Sequence, residues 1–477
     1  MSIYRDFLKS LDFSEKEMER ILPDWEQACK SLGLTEDDVS FSMTEWLPKH
    51  WDLSLHGVRM CIGAYVRELV ELSKLSEYKA RGDIIIYSNM PSHPACVYAN
   101  KISGGNRVHI MYPDFFITTV LKAFFNKTTI ESDDKAGIMN SLCAHCGMNR
   151  VRVYAHMKNI TVQPTAVWNW GLCCDEGPKT EEIIQSTESK DRNCVLTTVP
   201  HDVIFGVEEA KDEKRVSYLA RVLRESQSQL SSFTGIKVSD ADMKTAMNSY
   251  MEFVNKLNVL TEIIVSADVQ PLSGNDMAIF SCFFHIVLSS GYKYINNALD
   301  ELIAEIKVRV SNGEGPLGKD SPRLACHFIP FCVPWVCKAF QDNGINMSIN
   351  TYFPLPYTLL ALGSDDDVFR MAARQWLCNP GAVNTGDEIR IVSDIISKID
   401  VDGALYGFFS FDRWLGGLQK TMIRAVENET GIPHYYLEGD FWGEGRYSFE
   451  DRLTRIQNIA YTVKINHMMS GAGHAKK

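Results

Sequence analysis

Apolar and polar positions alternate along this chain in three successive styles. Over the first eighty residues they follow helical spacing, as in Met60-Cys-Ile-Gly-Ala-Tyr-Val-Arg-Glu-Leu-Val-Glu-Leu72. Ser14-Glu-Lys-Glu17 predicts a capping box, with Ser14 as the N-cap and Glu17 at the third helical position. Short apolar runs then take over: Asp83–Ser88, Arg107–Tyr112, Ala166–Gly171 and Asn193–Val199 read as strands, with a helix from Lys179 to Glu188. Short apolar strands alternating with helices predict a mostly parallel sheet. From Glu208 to Leu230 and from Asp240 to Ile264 the pattern is long and helical, broken at Phe233-Thr-Gly-Ile236, where the glycine suits a helix C-terminus.

After Asn312-Gly-Glu-Gly-Pro-Leu-Gly318 the strand pattern returns at Arg323–Phe328, Asn346–Tyr352, Ala404–Ser410 and His434–Glu438, with a helix from Leu418 to Glu429 among them. The expected organisation is an N-terminal helical extension (1–80), a first α/β lobe (81–206), a helical linker region (207–318) and a second α/β lobe (319–477). No residue-level repeat relates the two lobes. Asp365-Asp-Asp367 is read as a helix start, since carboxylates favour a helix N-terminus.

Composition narrows the function. The 477 residues carry 49 Lys+Arg against 60 Asp+Glu, a formal charge of −11, and no basic stripe, which argues against nucleic-acid binding. The most apolar run, Ala278–Leu288, is too short to cross a bilayer, and the start of the chain does not read as an export signal. A reducing cytoplasm is therefore expected, without a membrane partner. There, 13 cysteines point to metal binding or thiol chemistry where they cluster, and to small buried apolar groups where they stand alone, as at Cys29, Cys61, Cys282 and Cys378.

Cys143-Ala-His-Cys146 precedes a strand that runs into Cys173-Cys174-Asp175, and thiols at a strand's carboxyl end face the crevice where parallel sheets bind ligands. Thiolates suit an iron–sulfur cluster or zinc, although adjacent Cys173 and Cys174 lack the spacing of a structural zinc site. Packing, with at most one of that pair binding anything, is the alternative. Cys326, Cys332 and Cys337 sit among Phe, Val, Trp and Pro and read as core. His109, His145, His201 and His285 stand singly, without a catalytic pattern, and no dinucleotide, P-loop, zincin or nucleophile-elbow motif is present. Trp168, Trp170 and Trp414 are candidates for an acyl pocket, with ordinary packing as the competing reading.

Several motifs, taken in order, resemble the 2-hydroxyacyl-CoA dehydratase and benzoyl-CoA reductase family. They include Gly431-Ile-Pro-His-Tyr-Tyr-Leu-Glu-Gly-Asp440 followed by Arg452-Leu-Thr-Arg-Ile456, Phe233-Thr-Gly-Ile-Lys237, and Pro271-Leu-Ser-Gly274. Cys146-Gly-Met-Asn-Arg150 is similar to the family's first cysteine motif, and Cys174-Asp175, with Lys179 and Glu182 after it, to the second. The resemblance implies two Rossmann- or flavodoxin-like lobes and a [4Fe–4S] cluster ligated by Cys146 and Cys174. It further implies a related sister subunit, an ATP-hydrolysing iron–sulfur activator as electron donor, and an acyl-CoA substrate dehydrated through a ketyl radical. The length and helical extension fit the larger subunit of such a pair. Relatives reduce aromatic thioesters, and that activity is the near alternative.

The family's third cysteine has Asp412 in its approximate place, within Phe409-Ser-Phe-Asp-Arg-Trp-Leu-Gly416. Three arrangements follow: Asp412 as an oxygen ligand, substitution by Cys143, Cys173 or one of Cys326, Cys332 and Cys337, or a non-catalytic partner subunit without the usual cluster.

Overall fold

The computed structural model describes residues 2–128, 146–171, 176–187, 192–199, 207–327, 333–350, 367–379, 384–407, 415–439 and 448–474. Among them are two four-stranded sheets, in which every recorded strand pairing is parallel. The first contains β1 (Ile84–Ser88), β2 (Val108–Met111), β3 (Ala166–Gly171) and β4 (Cys194–Thr198), ordered β2-β1-β3-β4. The second contains β5 (Arg323–Cys326), β6 (Asn346–Asn350), β7 (Gly403–Gly407) and β8 (His434–Leu437), ordered β6-β5-β7-β8. The two lobes therefore share one strand order, although the sequence shows no repeat. The α/β class is as expected, with helices forming most of the described structure.

β1, β2, β3, β5 and β7 are buried along nearly all their length, as strands covered by helices on both faces are, whereas β4 keeps Leu196 and Thr198 exposed. All of β2 is buried, as are Ile85 to Ser88 of β1 and Ala166 to Trp170 of β3. In each sheet the order reverses between its first and third strands. The carboxyl ends of β1 and β3, and of β5 and β7, therefore flank the switch points where open α/β sheets bind ligands.

The N-terminal helices pack into the same core as the first sheet and the middle helices. The predicted capping box is formed: Glu17 N donates to Ser14 Oγ at 3.4 Å and Ser14 N donates to Glu17 Oε2 at 3.1 Å. His56–Ser73 crosses Lys293–Asn312 at Gly57, where an added Cβ would meet Leu302 Cβ at 2.5 Å. Tyr65 Oη and Glu68, on that same helix, bond to Ile279 O (2.6 Å) and to Ser289 N and Oγ (3.0 and 2.8 Å).

Three helix starts differ from the sequence reading, one being that of Leu415–Thr430, which begins three residues ahead of Leu418. The middle helix begins at Glu213 rather than Glu208, because the Asp212 carboxylate caps it by accepting from Lys214 N (2.9 Å) and Arg215 N (3.3 Å). It runs to Thr234 and ends on Gly235 at φ +73°, the left-handed stop that glycine permits. The helix after the paired cysteines spans Glu176–Thr187 and so starts three residues ahead of Lys179. Asp367 caps Val368–Trp376, as its carboxylate cluster predicted. Among the described residues, no helix is long and apolar enough to cross a membrane.

Candidate functional site

Cys146 is the N-cap of the helix Gly147–Met157, with extended backbone angles and its Sγ accepting from Asn149 N at 3.5 Å. Its side chain is buried. A thiol in that position faces the free N–H groups and the positive end of the helix dipole.

The backbone N of Cys146 donates to Glu176 Oε2 at 2.7 Å, and Asn149 Nδ2 donates to the same oxygen at 3.3 Å. Glu176 is the first residue of the helix that follows Cys173-Cys174-Asp175, so two helix starts converge at Cys146. A buried ionic network stands behind them. Arg152 donates to Asp114 Oδ2 through Nε (3.1 Å) and Nη2 (2.5 Å), and to Gly177 O at 3.4 Å. Glu181 lies 4.0 Å from Arg152 Nη1 and accepts from Arg192 Nε at 2.9 Å. Paired buried charges of this kind fix relative positions, although Glu181 Oε1 itself accepts no hydrogen bond among the described residues.

Of the predicted ligands, Cys146 falls among the described residues, as do the substitutes Cys326 and Cys337; Cys143, Cys173, Cys174 and Asp412 lie outside them, as do Cys332 and Trp414. Within the described residues, no three His, Cys, Asp or Glu side chains gather into a metal-holding group. The isolated cysteines behave as expected: Cys29, Cys61, Cys282 and Cys378 are buried, and burial pushes their thiols up, to about 12 at Cys378. Cys326 and Cys337 are likewise core residues with raised thiols. Trp168 and Trp170 stack at 4.8 Å, and their indole N–H groups donate to Thr197 Oγ1 (2.8 Å) and Ser88 Oγ (3.2 Å), which is the packing role.

The turn after β1 meets the C-terminal half of the chain. His93 Nε2 lies 3.1 Å from Gln375 Oε1, His285 Nε2 lies 3.2 Å from Asn379 Nδ2, and Trp376 packs against Trp170 at 5.4 Å. The switch point of the second sheet holds another buried group. The His327 ring stacks on Tyr406 at 4.8 Å, and its Nε2 is 3.8 Å from Glu388 Oε1. Burial holds that imidazole well below its usual range and that carboxyl well above its own.

Sequence reasoning missed Glu176, the Asp114–Arg152–Glu181–Arg192 network and the His93 contact. For Glu176 the available signal was its place two residues after Cys174.

Two parallel-sheet lobes, with a buried helix-capping cysteine hydrogen-bonded to Glu176, two residues after Cys174 in sequence, define an α/β protein with a cysteine at a helix start. Residues 139–460 match the model of the 2-hydroxyglutaryl-CoA dehydratase D-component family, and the chain belongs to that family. It is similar to the (R)-2-hydroxyisocaproyl-CoA dehydratase alpha subunit of Clostridioides difficile, 23% identical over 61% of this chain and 71% of the relative. It is also similar to the (R)-phenyllactyl-CoA dehydratase alpha subunit of Clostridium sporogenes, 20% identical over 83% of this chain and 94% of the relative.

Proposed function

We propose that this chain is one subunit of a cytoplasmic 2-hydroxyacyl-CoA dehydratase, paired with a related sister subunit and holding a [4Fe–4S] cluster. The observation that carries the reading is the buried Cys146 at a helix start, its backbone N hydrogen-bonded to Glu176, two residues after Cys174 in sequence, in a chain of this family. A soft thiolate with an N–H donor on its sulfur fits an iron–sulfur donor set. In this reading Cys146 and Cys174 are ligands, with the remaining position supplied by Cys173, Cys143 or Asp412. Bound there, the cluster supplies low-potential electron transfer to the acyl thioester, recharged by an ATP-hydrolysing iron–sulfur activator.

The chain's own residues do the rest. The starts of Gly147–Met157 and Glu176–Thr187 present positive dipole ends to an anionic cluster. Trp168, Trp170 and Trp376 pack as one buried aromatic group against β3. Both named relatives are dehydratase subunits, which favours dehydration over aromatic-ring reduction.

The test is an anaerobic assay of the chain with its sister subunit and activator. Dehydration of a 2-hydroxyacyl-CoA to the unsaturated thioester, without reduction of benzoyl-CoA, is the expected result. Benzoyl-CoA reduction alone would overturn it.

A further inference from the structure

We propose that Glu176 is a positioning residue for the cluster, a role that rests on the cluster reading above. Its carboxylate ties the backbone of Cys146 to the start of the helix Glu176–Thr187, and its charge holds the cluster potential down.

An acidic residue in a helix's first turn ordinarily faces water, where it complements the dipole of its own helix. Glu176 does not. It is 3% exposed, and its side chain reaches the N-cap of a different helix. There Oε2 accepts from Cys146 N at 2.7 Å and from Asn149 Nδ2 at 3.3 Å. Asn149 is also the residue whose backbone N–H bonds the Cys146 sulfur, so one small hydrogen-bonded ring includes the thiol, its helix start and the carboxylate.

The far side of Glu176 is fixed as firmly. Thr180 Oγ1 donates to its carbonyl at 2.6 Å, and Arg152, from within the Cys146 helix, donates to Gly177 O at 3.4 Å. The starts of Gly147–Met157 and Glu176–Thr187 are thus joined at Cys146 and at Glu176, which follows Cys174 by two residues in sequence. Holding ligand backbones in place through neighbouring hydrogen bonds is how outer-shell residues tune a metal site. A buried anion fixed beside a ligand also disfavours adding an electron, because cluster potentials follow local charge, hydrogen bonding and solvent exposure.

Two substitutions separate charge from reach. Glu176→Gln keeps an acceptor oxygen of the same length and removes the charge. Glu176→Asp keeps the charge and withdraws it by one methylene. Holoprotein purified without oxygen is analysed for iron, titrated redox-potentiometrically by electron paramagnetic resonance, and challenged with an iron chelator, with circular dichroism as the fold control.

For Glu176→Gln the expected result is retained iron and at least a tenfold shift of the one-electron equilibrium toward the reduced cluster, about 59 mV. For Glu176→Asp it is a midpoint near that of the parent, with iron lost to the chelator at least twofold faster. A parent midpoint in Glu176→Gln together with a parent chelation rate in Glu176→Asp overturns the role of Glu176 and leaves the cluster reading standing. Should Glu176→Gln fail to fold, the chelation rate of Glu176→Asp decides. Absence of iron from the folded parent chain overturns both readings.

Discussion

His93 Nε2 and Gln375 Oε1 lie 3.1 Å apart, across 282 residues of sequence. This hydrogen bond joins the turn after β1 to the helix Val368–Trp376, and Asn379, just past that helix, contacts His285, whose carbonyl accepts from Ser92 of the same turn. Both imidazoles are buried among aromatic rings, including Trp376. Burial pushes His93 down to about 4 and His285 down to about 3, the latter with His93 adding to the effect.

These shifts give stability a pH dependence of known sign. A buried neutral imidazole takes up a proton when the chain unfolds, so its contribution is full above pH 6.5 and is lost as pH falls toward 4. For His93 alone that amounts to roughly 3 kcal/mol. Glu68 acts in the other sense: burial raises its carboxyl to about 8, so its contribution is full below 4.5 and is lost as pH rises through 8. Asp276, raised by burial to about 6, behaves like Glu68 at lower pH, and His50, lowered by burial to about 4, like His93. His327, lowered by burial to about 3, and Glu388, raised by burial to about 8, join the two sets, so between pH 4.5 and 6 four imidazoles outweigh three carboxyls, and above 6.5 the carboxyls set the slope. Calorimetric midpoints measured from pH 5 to 8.5 are expected to peak near pH 6.5. A steady rise through pH 8 would count against the assignment.

Arg152 and Asp114 form a buried pair whose members cannot be removed singly without cost. Arg152→Met leaves Asp114 charged and dry, and is expected to lower unfolding free energy by about 3–5 kcal/mol in urea titration. The double variant Arg152→Met/Asp114→Leu should recover part of that loss, since no orphaned Asp114 charge remains. A double variant as unstable as the single one would show that the pair is not the source.

Gly407 closes β7 at φ +149°, and a Cβ there would stand 1.7 Å from Leu437 O on the paired strand β8. Gly407→Ala is expected to cost about 3 kcal/mol through strain and overpacking. Gly82→Ala is the control. Its φ is +81° but nothing lies within 4 Å of the new Cβ, so only the backbone cost of about 1 kcal/mol applies. Equal effects in the two variants would contradict the close approach of β7 and β8.

The strands were legible because strands buried on both faces become apolar runs that need no tertiary knowledge to recognise. Ser14, Asp367 and Gly235 were legible for a local reason as well: caps are chemistry between residues a few positions apart. Glu176 was not, since an acid in a first helical turn looks solvent-facing until another helix start is brought against it. Nor was the His93–Gln375 contact, whose partners share no local pattern. The common strand order of the two sheets was equally hidden, because topology can recur after residue identity has gone. Family membership, by contrast, was readable from short ordered motifs around Cys146, Cys174 and Gly431–Asp440, and the family match over 139–460 includes all three.

The cluster is the central claim, and iron with acid-labile sulfide on strictly anaerobic protein tests it most directly, with zinc measured beside them. The account predicts about four irons and four sulfides per chain, as for one [4Fe–4S] cluster. It also predicts loss of both in Cys146→Ser and in Cys174→Ser while the fold is kept. Folded parent chain that binds no iron, or binds zinc in its place, would contradict it.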